Sequence, residues 1–329
     1  MTYEIIATLG PASSSTELWR EMIVAGASEF RLNSSHLSIP QVIEWVERMR
    51  AFFAHRGKAV PVVIDLQGSK WRLGNFPTIE LVEGMDVILK MDVSTTVPNV
   101  FPVTHADFFT AAPKSSREIR LNDAKVVLEM AEIDGNSIRA RVVQGGPIAA
   151  NKGITYAESE FRSEGLSEKD LAVMQTTLQY PFVRYAISYV KNAVEMISFR
   201  KQIGAPTYLI AKLERGTAIQ EARAISAEAD EVWLCRGDLG AELGLVGMAQ
   251  AVHQFSSMVP TIPIPVMLAG QVLEHMTEHP SPTRSEITCL HDALLKEYQG
   301  FVLSDETAIG RFPVQSCKTA ALFRDISTR

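Results

Sequence analysis

The chain has 329 residues, of which 46% are hydrophobic and 21% are charged, and its formal net charge is −6. This apolar fraction excludes a disordered chain, and the acidic balance argues against non-specific nucleic-acid binding, which needs clustered positive charge. No run of about 18 apolar residues predicts a membrane span, the opening segment lacks the basic start of a secretory signal, and three cysteines favour a reducing, cytoplasmic location over a disulfide framework.

The first part of the chain alternates between short apolar runs and amphipathic stretches. Continuous apolar strands between helices are typical of a parallel sheet that is buried on both faces. We predict strands at Ile5–Leu9, Ser28–Asn33 and Val60–Asp65, and helices at 16–25 and Ile39–Phe53.

The pattern changes after Gly74, because residues 75–160 contain short alternating runs and turn dipeptides but no long helical pattern. The clearest signal is Lys125–Val143, where Asp134 and Gly135 lie between two strand-like runs, as in a β-hairpin. We therefore predict a small β domain inserted after the third strand.

The alternation of strands and helices returns at Leu166. The predicted strands are Phe182–Ser188, 207–213, 231–236, 264–269 and 300–304, and the predicted helices are 167–175, 191–203, 217–229, 245–258, 284–297 and 313–325. Eight βα units favour a (β/α)8 TIM barrel, although an open doubly wound sheet uses the same alternation. We assign residues 1–74 and 161–329 to the barrel and residues 75–160 to an inserted, β-barrel-like lid.

Polar residues cluster where the predicted strands end, which is the end of a barrel that carries its chemistry. After the second and third strands come Arg31, Asn33, Ser35, His36, Asp65, Gln67, Lys70 and Arg72. After the fifth to eighth strands come Lys212, Glu214, Arg236, Gly237, Asp238, Gly270, Gln271, Ser304, Asp305 and Glu306.

Two of these carboxylates are predicted to share a metal ion. Lys212 and Glu214 are two positions apart and share one side of a strand, and Glu214 and Asp238 should follow neighbouring strands. Such a pair can hold Mg²⁺, while Arg31 and Arg72 suit phosphate. Each residue alone has an ordinary explanation, such as a solvated ion pair or a turn cap. Together, at successive strand ends, they favour a site for a phosphorylated, carboxylate-bearing small molecule.

Several segments of the chain resemble the pyruvate kinase family in type and in order. They are IIATLGPASS (5–14), RLNSSH (31–36), VVIDLQGSKWRLG (62–74), IAKLERGTAI (210–219), LCRGDLGAELG (234–244), PVMLAGQVLEHM (265–276), PSPTRSE (280–286) and FVLSDETAIGRFP (301–313). The predicted insert matches weakly, at LND (121–123) and NKG (151–153). The resemblance thus covers almost the whole predicted barrel.

The resemblance implies a role for each matching residue. The catalytic residues would be Lys212, Arg31, Arg72 and Ser304. The metal ligands, for Mg²⁺ or Mn²⁺, would be Glu214 and Asp238, and the substrate carboxylate would meet Gly237, Asp238 and Gly270. The nucleotide would lie against Asn33, His36, Arg72, Lys152 and Asp123, and closure of the lid, which carries the last two, would exclude water.

Two positions depart from the family's potassium site. Many members bind K⁺ partly through a Thr after the third-strand Asp, where this chain has Leu66, and the K⁺-dependent members carry Glu where it has Lys70. An ammonium group can replace a bound monovalent cation. The resemblance therefore implies that Lys70 substitutes for K⁺ at the former cation site of Asn33, Ser35 and Asp65, and that K⁺ is not required.

Other departures affect the substrate side. Gly270 replaces a family Thr whose hydroxyl binds the substrate carboxylate, so we expect a void and the loss of a hydrogen bond that contributes about 1–3 kcal/mol. Asp305 replaces a Gly and Gln67 replaces a Lys, which makes the barrel mouth more negative, and Leu37 replaces a Gly beside His36. We also expect no C-terminal regulatory domain and no control by a sugar phosphate.

The leading hypothesis is Mg²⁺-dependent phosphoryl transfer between phosphoenolpyruvate and ADP, or the reverse reaction from pyruvate and ATP. Three alternatives stay open: the same chemistry on a related enol acid or another acceptor, a metal-dependent aldolase or lyase acting through a pyruvate enolate, and a non-catalytic metabolite-binding regulator. We expect the protein to bind these small molecules and to bind neither nucleic acid nor a membrane. Whether it forms a homodimer through the barrel stays open.

Overall fold

The protein folds around a closed barrel of eight parallel strands, seen in a computed structural model that describes residues 2–122, 124–157, 165–204 and 206–324. The barrel strands are β1 (Glu4–Leu9), β2 (Glu29–Asn33), β3 (Val62–Leu66), β12 (Val183–Ile187), β13 (Leu209–Leu213), β14 (Glu231–Cys235), β15 (Val266–Ala269) and β16 (Gly300–Leu303). Their hydrogen-bonded order is β1-β16-β15-β14-β13-β12-β3-β2. The predicted (β/α)8 barrel is confirmed, and the open sheet is excluded.

Helices follow the barrel strands on the outside, and α3 lies in the insert. They are α1 (Thr16–Val24), α2 (Ile39–Arg56), α3 (Ala106–Ala111), α4 (Glu168–Thr177), α5 (Ala193–Ile203), α6 (Gly216–Gln220), α7 (Ala222–Ser226), α8 (Arg236–Met258), α9 (Arg284–Leu295), α10 (Asp305–Ala308) and α11 (Pro313–Ala320). Hydroxyl caps at Ser15, Ser38, Ser167 and Thr283 begin four of them. Among the described residues, no helix is long and apolar enough to span a membrane.

The strand side chains divide between two cores, as the period of two requires. One set points into the barrel and packs there, including Ile6, Val63, Ile210 and Trp233. The other set points outward and packs against the helices. Because both faces are covered, the strands read as continuous apolar runs.

Three predicted helices differ from the structure. The helix predicted at 217–229 is split into α6 and α7. The helix predicted at 245–258 is observed after Gly244, where φ is +71°, but the structure adds an unpredicted helical segment before it, which begins at Arg236 directly after β14. The helix predicted at 313–325 is observed as α11, and residue 325 lies outside the described residues.

The segment between β3 and β12 forms two further sheets. Its strands are β4 (Ile79–Leu81), β5 (Asp86–Met91), β6 (Val100–Val103), β7 (Glu118–Leu121), β8 (Val126–Asp134), β9 (Ser137–Gln144), β10 (Gly146–Ile148) and β11 (Ile154–Tyr156). The order is β11-β7-β8-β9-β5-β6 in the larger, mixed sheet, and β10 pairs with β4. The hairpin predicted around Asp134 and Gly135 is the antiparallel pair β8–β9.

This inserted segment, which we call the lid, has its own apolar core. Trp71, Phe108 and Tyr156 lie at its centre, and the Phe108 and Tyr156 rings stack with centroids 4.6 Å apart. The boundaries at 74/75 and 160/161 remain a prediction, and the second falls in residues 158–164, outside the described part.

The N-terminal end of the barrel holds two buried carboxyl groups beside one arginine. Glu29 on β2 is 5% exposed, and its Oε1 accepts a hydrogen bond from Arg184 Nη1 at 2.6 Å. Glu231 on β14 is also buried and lies 4.0 Å from the same guanidinium nitrogen. Burial raises the pKa of Glu29 to about 7 against the opposing effect of Arg184, and Glu231 adds to the increase.

Replacing Glu29 with Gln should flatten the pH dependence of stability. The folded protein holds a proton at Glu29 that the unfolded chain releases above about pH 4.5, so this contribution to stability is complete below that pH and is lost as pH rises through about 7. Between about pH 5 and about pH 8, the free energy of unfolding should therefore fall by about 2 kcal/mol less in Glu29→Gln than in the parent protein. Urea unfolding at both pH values measures this, with the exposed Glu44→Gln as control; equal falls in all three proteins would contradict it.

Candidate active site

Strands β2, β3 and β13, of which β13 is separated from β3 by β12, bring together a buried group of charges. Arg31 on β2 donates from Nε to Asp65 Oδ2 on β3 at 2.9 Å. Lys212 on β13 donates from Nζ to Asp65 Oδ1 at 3.1 Å and is itself 7% exposed. Burial alone would raise the pKa of Asp65, but Lys212 and Arg31 lower it below its ordinary value, so Asp65 is a carboxylate held between two cations.

Glu214 joins this group from the end of β13. Its Oε1 lies 2.9 Å from Lys212 Nζ, which confirms that the two side chains share one side of the strand. Its Oε2 accepts a hydrogen bond from the backbone N–H of Tyr189 at 2.8 Å. Burial raises the pKa of Glu214, and the adjacent ammonium of Lys212 opposes that rise.

Asp238 lies in the first turn of α8, one strand further round the barrel. Lys70 Nζ forms an ion pair with Asp238 Oδ1, and the Tyr189 hydroxyl donates to the same oxygen at 3.1 Å. Burial opposes the charged form of Asp238, but Lys70 outweighs it, so the pKa lies below its ordinary value. Tyr189 thus touches both Glu214 and Asp238, and the two predicted metal ligands lie side by side.

The donor chemistry of Glu214 and Asp238 fits a hard divalent cation. Both present carboxylate oxygens, which Mg²⁺ and Mn²⁺ prefer. Among the residues that the structure describes, no group of three or more His, Cys, Asp or Glu side chains could hold a metal ion. The remaining ligands would have to come from water or substrate, as is usual for Mg²⁺ beside a phosphate.

Arg72 connects the mouth of the barrel to the lid. Its Nη2 donates to Ser35 Oγ at 2.9 Å, and its Nη1 donates to the carbonyl oxygen of Asn151 at 2.8 Å. Its Nε is buried without a hydrogen-bond partner among the described residues. A guanidinium that keeps one donor unused at a site mouth can bind an anion such as phosphate.

The predicted nucleotide residues lie around the same mouth. Arg72, Lys152 and Asp305 all act electrostatically on His36, whose imidazole is the shared neighbour. The Asn33 side chain accepts from the backbone N–H of Ser35 at 3.2 Å. Asp123 lies outside the described residues.

Ser304 is placed at the end of β16, next to a buried carboxyl group. Its backbone N–H donates to Glu306 Oε2 at 2.8 Å, while the Asp305 side chain is exposed. Among the described residues, no hydrogen bond joins the Ser304 side chain to the charges around Lys212, and its catalytic role stays a prediction.

Gly270 occupies a tight turn next to the start of α8. Its φ is +83°, and a Cβ built there would lie 3.0 Å from Gly237 N and 3.1 Å from Arg236 N. Its carbonyl oxygen accepts from Arg236 Nε at 2.9 Å and from Nη2 at 2.7 Å. The helix backbone would therefore crowd a Cβ at this position, while the expected void beyond it and the lost hydrogen bond stay predictions.

Sequence reasoning missed Tyr189, Ser188 and Thr8. Ser188 Oγ donates to Asp65 Oδ1 at 3.1 Å, and Arg31 Nη1 donates to Thr8 Oγ1 at 2.8 Å. All three end or follow β1 and β12, the two barrel strands whose ends carry no predicted site residue. The same rule, applied to every strand, would have found them.

Comparisons with known proteins agree with this geometry. The family model for the pyruvate kinase barrel domain matches residues 2–317. A pyruvate kinase of Mycobacterium tuberculosis is 32% identical over 321 residues, which are 96% of this chain and 68% of that protein. Pyruvate kinase 2 of Synechocystis is 30% identical over 95% of this chain and 54% of its own length, and the pyruvate kinase of Thermococcus litoralis is 29% identical over 97% and 68%. The chain spans about half to two thirds of these relatives.

Replacing Gly270 with Ala should destabilise the protein by about 1–2 kcal/mol, because the left-handed backbone disfavours a Cβ and the helix backbone crowds it. Urea unfolding measures the loss. Gly237→Ala is the matched control, since a Cβ at that helical position has nothing within 4 Å. Equal stability of the two variants would contradict the strain at Gly270.

Proposed function

Because the chain belongs to the pyruvate kinase family, we propose that it transfers a phosphoryl group between phosphoenolpyruvate and ADP with Mg²⁺ or Mn²⁺. The observation that carries this proposal is the buried contact of Lys212 with Asp65 and Glu214, next to Asp238. Phosphoryl transfer depends mainly on positioning and on stabilising negative charge. A buried ammonium fixed by two carboxylates supplies both.

Each charged residue has a distinct task in this proposal. The opposing carboxylates of Asp65 and Glu214 raise the pKa of Lys212 despite its burial, so the ammonium is charged when it meets the phosphoryl group. Arg31 binds the phosphate from β2, and Arg72 binds it from the mouth. Glu214 and Asp238 hold the metal ion, which supplies further charge neutralisation when bound.

The start of α8 orients the other end of the substrate. The backbone N–H groups of Gly237 and Asp238 lie in the first turn of this helix, where N–H groups have no intrahelical partner and favour an anion. They bind the substrate carboxylate in the proposal. The nucleotide lies between Asn33, His36 and Arg72 below and Lys152 of the lid above, and closure of the lid excludes water that would intercept the phosphoryl group.

We also propose that the enzyme does not require K⁺. Asp65, part of the former cation site, already has its charge balanced by Arg31 and Lys212. Leu66 offers no side-chain oxygen, and the ammonium of Lys70 lies against Asp238. The pairing of Asp65 and Asp238 with positive charges of the chain itself supports this proposal. The three cysteines, all free, are compatible with a cytoplasmic location.

A related enol acid is the second candidate substrate, and the turn at Gly270 favours it. No side chain at this position contributes to binding the substrate carboxylate, and Arg236 fixes the carbonyl of Gly270 instead. Comparing turnover of phosphoenolpyruvate with that of a panel of other enol phosphates, with ADP as acceptor, distinguishes the two substrates.

Replacing Lys212 with Met should lower kcat for pyruvate formation by about 10³-fold or more, because the charge opposite the phosphoryl group is lost. A lactate dehydrogenase-coupled assay measures this, and circular dichroism checks the fold. Lys201→Met, at an exposed position of α5, is the control. An unchanged kcat in folded Lys212→Met, or a parent protein that binds neither nucleotide nor phosphoenolpyruvate, would contradict the proposal.

Replacing Lys70 with Glu should make activity depend on K⁺. The parent protein should have the same kcat with and without K⁺. In the variant two carboxylates would face each other, so activity in sodium buffer should fall about 30-fold and recover in part when K⁺ is added. Lys70→Gln, which adds no charge, should lose activity without responding to K⁺. A strict K⁺ requirement of the parent protein would contradict the assignment.

A further inference from the structure

Helix α8 is two helical segments joined at Gly244, where φ is +71° and ψ is 172°. The first segment, residues 236–243, carries Gly237 and Asp238. We call it the site helix. Because Gly244 interrupts the hydrogen-bond ladder, the last carbonyl groups of the site helix have no donors within the helix. A segment this short is marginal unless other parts of the protein hold it.

An arginine of the lid supplies those missing donors. Arg120 lies on β7, and its Nη1 donates to the carbonyl oxygens of Ala241 at 2.9 Å and Glu242 at 3.1 Å. Its Nε lies 2.6 Å from Glu118 Oε1, which orients the guanidinium, and its side chain is only 14% exposed. A cation at the C-terminal end of a helix also interacts favourably with the helix dipole.

The site helix also has contacts on the barrel side of the site. At its N-terminal end, Asp238 is held by Tyr189 and Lys70. On its flank, Glu242 Oε1 accepts from the backbone N–H of Gly216 at 2.9 Å. Strands β7 and β11 of the lid both pack against α8. Arg120 of β7 donates the lid's hydrogen bonds to the last carbonyl groups of the site helix, and it is 121 positions away in sequence from Ala241.

We propose that Arg120 is a positioning residue that links the seating of the lid to the order of the site helix. When the lid lifts, Arg120 leaves and the carbonyls of Ala241 and Glu242 lose their donors. The helix that presents Gly237 and Asp238 then loosens. This inference deepens the proposed function and rests on it for the identity of the ligand, whereas the mechanical link can be tested without any substrate.

Linkage makes the effect reciprocal. If seating of the lid orders the site helix, a ligand that binds the ordered helix favours the seated lid by the same factor. Arg120 therefore makes binding at Gly237 and Asp238 stronger when the lid is closed. The affinity for the substrate carboxylate therefore differs between the closed and the open state of the lid, although Arg120 does not touch the carboxylate itself.

Amide hydrogen exchange of the free protein tests the link. In Arg120→Ala, peptides covering residues 236–247 should exchange about fivefold faster or more than in the parent protein, while peptides covering β8 and β9 keep their protection. Arg141→Ala is the matched control, because Arg141 is also in the lid, is exposed, and pairs with Asp86. It should leave exchange at 236–247 unchanged. Glu118→Gln, which loses only the orienting ion pair, should give a smaller increase than Arg120→Ala.

Two results would overturn the inference. One is exchange at 236–247 that is the same in Arg120→Ala and Arg141→Ala. The other is a general loss of protection in β8 and β9, which would mean that Arg120 only stabilises the lid. With phosphoenolpyruvate and Mn²⁺, KM should rise about fivefold in Arg120→Ala with a smaller change in kcat, and Arg120→Lys should recover part of it. If the parent protein forms no pyruvate, the proposed function fails, while the exchange result still decides the role of Arg120.

Discussion

The buried ion network at the C-terminal end of the barrel is the constraint on which the rest of the site depends. Arg31, Lys212 and Lys70 face Asp65, Glu214 and Asp238, so the positive and negative charges balance within the chain. Removing one partner from such a group leaves an uncompensated charge away from water, which typically costs about 3–5 kcal/mol. The network is therefore satisfied only when all the strands that carry it lie in the correct order.

The balance also limits how ligands can bind. A metal ion alone adds positive charge to a site that is already neutral, and a phosphorylated acid alone adds negative charge. In a water-poor environment either imbalance is unfavourable. A metal ion and a phosphorylated substrate that bind together preserve the balance. The internal cations thus favour joint binding of the metal ion and the phosphorylated substrate.

Much of the fold and part of the site follow from local sequence patterns. Eight apolar strands separated by helices predict the barrel, and the carboxyl ends of β2, β3, β13 and β14 carry the charged residues that meet. Local sequence patterns could not predict contacts between segments that are far apart in the sequence. Arg120 reaches Ala241 across two domains, and the crowding at Gly270 comes from the backbone of α8. Tyr189 differs from these cases, since it follows a barrel strand and was within reach of the same reasoning.

The short helix 236–243 is where these constraints converge. Its first turn carries Asp238, its N-terminal backbone crowds Gly270, and its last carbonyls accept from Arg120 of the lid. A helix broken after two turns has little stability of its own, so its order depends on contacts at both ends. Residues of the barrel side contact its first turn, the turn at Gly270 packs against its N-terminal backbone, and the lid contacts its C-terminal end. Any movement of the lid therefore changes the environment of the residues proposed to bind the substrate carboxylate and the metal ion.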